Sequence, residues 1–247
     1  MSPTMIDRLS PAERPPGRPA GFQRWRTLLF LHWEVPAEAI AKLLPPELSV
    51  DTFEGKAWVG VVPFTMRDVA PRWSPSVPGV SHFHELNVRT YVHLRGKDPG
   101  VWFFSLDAAA TIAVAVARAG WHLPYHRASM TLDIAGNTVD YRSKRLFPGP
   151  KPAEFETRYH VGESIGSAKP GTLTHFFAER YILYARTRSG LSLGRVHHVP
   201  YPLHEVKVES WRDGMVAAAG MPAPAGEPLA LYSPGVDVDV YQLVPVV

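Results

Sequence analysis

A chain of 247 residues, 45% hydrophobic and 11% aromatic, is long enough to bury a substantial core in one domain or two small ones. It has no cysteine, which excludes a disulfide framework, a thiolate metal site and a thiol nucleophile. With 26 Lys+Arg against 23 Asp+Glu the formal net charge is +3, too mild and too dispersed for a nucleic-acid surface. The longest apolar stretch, Ala108 to Ala117, is far short of the roughly 20 residues of a membrane helix, so a cytoplasmic protein without nucleic-acid or membrane partners is expected.

Residues 1–22, dense in Pro, Arg and small side chains and lacking an apolar period, read as a flexible tail. Trp25 to Trp33 then reads as a strand, and Pro36 to Leu44 as a short helix opened by proline and closed by Pro45-Pro46. Lys56 to Thr65, Glu85 to His93 and Val101 to Leu106 are strands, the last two joined by the turn-forming run Arg95 to Gly100. Asp107 is placed to cap an alanine-rich helix, Ala108 to Ala119, whose apolar middle suggests burial, with Arg118 complementing its dipole.

The second half reads mostly as strand. Arg127 to Ile134 and Thr138 to Leu146 form a hairpin, followed by Phe155 to Glu163; Leu173 to Glu179 has short-helix character. Tyr181 to Arg186 pairs with Leu191 to His198, and His204 to Trp211 and Val236 to Leu243 complete the set. No period of 20 to 50 residues repeats and no linker divides the strands. The expectation is one α+β domain, residues 23–247, predominantly β, whose strands close on themselves as a barrel with two or three short helices.

Three features invite chemistry. Gly162-Glu163-Ser164-Ile165-Gly166 matches a nucleophile elbow, but Ser167 to Gly171 cannot begin the helix that an elbow requires, so it reads as a loop. Histidines are plentiful, yet adjacent His197 and His198 point to opposite sides of a strand, and Pro124 breaks the helical spacing of His122 and His126; no metal site is expected. Arg142, Lys144 and Arg145 straddle both faces of a strand and read as a solvated edge.

The segment FHELNVRTYV, Phe83 to Val92, is the most informative. Strand alternation sends Glu85, Asn87, Arg89 and Tyr91 to one face and His84, Leu86, Val88, Thr90 and Val92 to the other. One face belongs to a core; the other is wet surface if it points outward and a polar site if it points into a barrel. Arg89 beside Glu85 is either a structural pair or an anchor for a ligand carboxylate.

Together with LFLHWEVPAEAIAKLLPPEL, WFFSLDAAATIAVAVARAGWHLPY, THFFAERYILYAR and VHHVPYPLHEV, this segment resembles the YqjF-like family of uncharacterised bacterial proteins, from Arg24 to Val247. That family is similar in turn to the acetoacetate decarboxylases, so the resemblance implies a cone-shaped β-barrel with a few outer helices, and homo-oligomeric assembly. In those enzymes a lysine after the proline that follows the helix forms a Schiff base, activated by a neighbouring cation. The matching positions after Pro124 are Tyr125 and His126, neither of which can form an imine. The family's active-site glutamate matches Glu85, whereas its substrate-facing arginine falls near His32 to Glu34, where no arginine stands.

The resemblance thus implies a pocket for a small acidic or carbonyl metabolite, with no cofactor and no metal. Glu85 and Tyr125 are the candidate acid–base groups, and Asn87, Arg89 and His126 the candidate binding residues. Loss of the amine fits acid–base catalysis without an imine and a non-catalytic binding or interaction protein equally well.

Overall fold

The computed structural model describes residues 6–73, 76, 81–110 and 123–246. Two long strands, β1 (Gly21–Val35) and β3 (Ala57–Pro71), pair antiparallel along most of their length, with the helix Ala37–Ala41 and the short strand β2 (Leu48–Val50) between them in sequence. β4 (Phe83–Leu94) pairs antiparallel with β3 and with β5 (Lys97–Ala108). The β4–β5 turn is only two residues, Arg95 and Gly96, both at positive φ as a type I′ hairpin requires, so the strands reach further than the expected six-residue turn allowed.

The remaining strands are β6 (Tyr125–Ala135), β7 (Thr138–Phe147), β8 (Glu154–Gly166), β9 (Ile182–Thr187), β10 (Gly190–His197), β11 (Leu203–Asp213), β12 (Leu229–Val240) and β13 (Val244–Pro245). Helices Leu173–Ala178 and Met215–Ala218 are short; the second was not anticipated, nor were β2 and β13. The anticipated helix from Ala108 to Ala119 lies almost wholly outside the described residues, as do His122 and Arg118.

The strands form one 13-stranded sheet that closes twice. One ring runs β10–β9–β5–β4–β3–β1–β12 and back to β10; the other runs β4–β5–β6–β7–β8–β11–β12–β1–β3 and back to β4. Strands β12, β1, β3, β4 and β5 are therefore a common wall, and alternation along them assigns each side chain to one ring or the other. On β1 and β3, Phe30, Val62 and Phe64 enter the first ring, whereas Leu29, Leu31, Val59 and Val61 enter the second. The second ring is filled by a continuous core in which Tyr141, Phe155 and Tyr159 are almost wholly buried. The first is only partly filled, and its interior is the cavity described below.

Four readings of the sequence are corrected here. Asp107 is not a helix cap: it is the penultimate residue of β5, inside the second ring, where Oδ1 and Oδ2 accept from Nε and Nη2 of Arg145 at 2.7 Å each. Arg145 is accordingly no edge residue, since the inward face of β7 continues from Val139 through Tyr141 and Ser143 to Arg145. Ser164 lies within β8 rather than a loop, exposed and opposite His204, with no helix behind it. Residues 6–20, read as a loose tail, run along the sheet: Arg8 pairs with buried Asp51 and Arg14 with Asp239.

Candidate functional site

On β4 the first-ring face carries Glu85, Asn87 and Arg89, opposite Phe64, Val62 and Gly60 of β3. All three line one cavity of about 310 Å³, together with Tyr125 from the start of β6 and Arg180 just before β9. The rest of the lining is largely apolar, including Leu28, Phe30, Phe64, Phe103 and Leu106. The sequence-derived residues Glu85, Asn87, Arg89 and Tyr125 thus share one space. Tyr91, the fourth member of the β4 row, is fully buried and sits against His32, its hydroxyl 2.6 Å from Nε2, rather than in the cavity lining.

Glu85 is 1% exposed, and the Tyr125 hydroxyl donates to its Oε2 at 3.0 Å. Burial pushes the carboxyl up to about 8; the Tyr125 hydrogen bond opposes this and the nearby Asp107 charge adds to it. Burial and the adjacent Glu85 hold the Tyr125 phenol well above its ordinary value. At neutral pH both groups are therefore protonated. Oε2 accepts from the phenol, which leaves Oε1 as the atom free to carry the carboxylic proton.

Arg89 is 9% exposed; its Nη2 donates to the Phe177 carbonyl at 2.9 Å, while its Nε has no partner. No carboxylate among the described residues pairs with it, Glu85 included. Glu85 and Arg89 thus do not form the structural pair that was one of the two readings of this strand. Asn87 Oδ1 is likewise buried without a partner. A desolvated guanidinium is costly in an apolar surround, and so is Asn87 Oδ1, an acceptor left without a donor. Gly60 makes room here, since a Cβ would stand 3.0 Å from Nε2 of His32 and 3.5 Å from Cγ of Arg89.

His126 is not brought in. It follows Tyr125 on β6, so alternation turns it away from the cavity, and its Nδ1 donates to the Pro148 carbonyl at 3.0 Å. Arg180 was missed by sequence reasoning. It is held by Asp51 at 2.8 Å and by the Phe176 carbonyl at 2.7 Å, stacks on Phe176 and Tyr91, and keeps Nη2 without a partner. The available signal was a charge pair, Glu179-Arg180, directly after the apolar Phe176-Phe177-Ala178. All seven lysines are exposed and none lines the cavity. No cluster of His, Asp and Glu among the described residues has the geometry of a metal site, and no helix there is long and apolar enough to cross a membrane.

A predominantly β chain whose sheet closes on itself, with a few short helices, has the architecture of the acetoacetate decarboxylase-like fold. Among solved structures, the enduracididine biosynthesis enzyme MppR, complexed with a condensation product of pyruvate and imidazole 4-carboxaldehyde, matches with a TM-score of 0.64, covering 92% of this chain and 90% of that one at 13% identity. An acetoacetate decarboxylase-like enzyme from Sphingomonas wittichii RW1 matches with a TM-score of 0.59 at 13% identity, covering 94% and 95% of the two chains. Acetoacetate decarboxylase from Legionella pneumophila gives a TM-score of 0.58 at 13% identity, covering 99% and 96%. Within this class the chain belongs to the DUF2071 family, described as an uncharacterized conserved protein, whose model matches residues 22–237. It is 38% identical over 216 residues to the uncharacterized protein YqjF of Bacillus subtilis (strain 168), covering 87% of this chain and 88% of that one.

Proposed function

We propose that the protein binds a small organic acid carrying a carbonyl group in the first-ring cavity and performs acid–base chemistry on it without a Schiff base. Arg89, with Asn87 beside it, receives the carboxylate. Glu85 lends its proton to the carbonyl oxygen while a proton on the adjacent carbon passes to water, giving the enol, and the reverse transfers restore both; Tyr125 holds Oε2 and stabilises the carboxylate that forms transiently. The observation that carries this reading is the cavity itself: a protonated carboxyl and a guanidinium without a carboxylate partner line the same space. MppR, complexed with pyruvate in another structure, gives a precedent for 2-oxo acids on this fold.

Deuterium exchange from solvent into the methyl group of pyruvate, followed by proton NMR, tests it, because exchange requires the enol that a proton donor at the carbonyl oxygen promotes. Acceleration by the wild type that is lost in Glu85→Gln is the expected result. Binding without exchange assigns the protein to the alternative class, a non-catalytic small-ligand binder on the same barrel. Absence of binding by 2-oxo acids removes the reading.

A further inference from the structure

Glu85, Asn87 and Arg89 are spaced along one strand, so their order fixes a direction through the cavity. From Arg89 to Glu85 the backbone advances ~13 Å, and one step further along the same face stands Phe83. Phe83 is paired with Met66, which is itself paired with Trp25, and all three line the cavity with Val69. Trp25, Val69 and Phe83 are partly exposed, whereas Glu85, Asn87 and Arg89 are buried. Arg89 therefore stands at one end of the row and Trp25, Met66, Val69 and Phe83 at the other, with the Glu85–Tyr125 pair between them and the remaining lining largely apolar.

A two- to four-carbon oxo acid occupies only the region between Arg89 and Glu85. It leaves the Trp25, Met66, Val69 and Phe83 end uncovered, and apolar surface of this extent in a concave site is the usual means of holding an apolar ligand portion. Resting on the carboxylate-binding reading above, we propose that the natural ligand class is an oxo acid bearing an apolar arm the size of a phenyl ring or a branched alkyl group. Its carboxylate lies at Arg89, its carbonyl at Glu85 and its arm against Trp25, Met66 and Phe83. The reverse orientation is disfavoured, since the arm would then lie on the guanidinium and leave it without an anion.

Titration calorimetry with pyruvate, phenylpyruvate and the neutral ketone 4-phenyl-2-butanone, on the wild type and on Arg89→Gln and Val69→Trp, separates the two claims. Phenylpyruvate is expected to bind at least about tenfold tighter than pyruvate through burial of the ring. Val69→Trp, which narrows the apolar end from a partly exposed position, should erase that advantage. Equal affinity for the two acids, with both weakened in Arg89→Gln, overturns the apolar arm and leaves the carboxylate reading standing. A neutral ketone that binds as tightly as phenylpyruvate, with no effect of Arg89→Gln, overturns the carboxylate reading and keeps the apolar site. Failure of all three probes to bind overturns both. Circular dichroism of each variant establishes that a lost signal reflects the site and not the fold.

Discussion

Arg145 grips Asp107 with two parallel hydrogen bonds of 2.7 Å inside the second ring, and the Asp107 charge is one of the influences that keep Glu85, on the neighbouring strand, protonated. A pair sealed in one ring thus acts electrostatically on a group that faces the other. The Tyr141 hydroxyl, donating to the Glu85 carbonyl at 3.0 Å, ties the same two places together through the backbone.

Asp107→Asn is expected to leave Arg145 buried without a counter-charge and to destabilise the fold by about 3–5 kcal/mol. It also removes a negative charge beside Glu85, so the carboxyl should titrate lower than in the wild type. Urea denaturation measures the first effect and carbon-13 NMR of the Glu85 carboxyl the second. An unchanged carboxyl titration would show that burial alone sets it.

Glu85 contributes a pH dependence whose sign follows from its raised value. Between the ordinary glutamate value of 4.5 and about 8 the folded state binds more protons than the unfolded one, so stability falls as pH rises through this window. Glu85→Gln removes the titration. The stability of the variant relative to wild type should therefore rise by several kcal/mol between about pH 5 and pH 9. Denaturation curves across that range check it, and a constant difference would contradict a protonated Glu85.

Tyr125→Phe keeps the ring and deletes the donor to Oε2. Since that hydrogen bond lowers the carboxyl of Glu85, the variant should titrate above the wild type, and the unmet acceptor should cost about 1–3 kcal/mol of stability. Carboxyl NMR and thermal denaturation read the two effects. A downward shift would mean that the phenol does not donate to Glu85.

Borohydride reduction in the presence of pyruvate is expected to leave the mass of the protein unchanged, because every lysine is exposed and outside the cavity. Intact-mass spectrometry is the check. A stoichiometric adduct mapped to a lysine would reinstate imine chemistry.

Much of this site was legible in ten residues. The alternation of β4 separated Glu85, Asn87 and Arg89 from Leu86 and Val88 correctly, because in a two-sided wall each face must satisfy a different ring. The same alternation on β7, from Val139 and Tyr141 to Arg145, would have placed Arg145 inside, but two charged neighbours disguised it as an edge. Asp107 was misplaced because an aspartate before alanines is a good cap, and its true partner lies 38 residues away, a long-range pairing that no local pattern carries. Arg180 was hidden for a similar reason, since its anchor Asp51 is 129 residues distant.

The common wall of strands has a practical corollary. Successive residues of β4 answer to different constraints: 85, 87 and 89 border the open space, whereas 86 and 88 belong to the filled core. Sequence drift among relatives should therefore be periodic along this strand, with alternate positions free to diverge as ligands change while their immediate neighbours stay fixed. A library that randomises only the former would explore new specificities on a scaffold whose folding is underwritten by the latter.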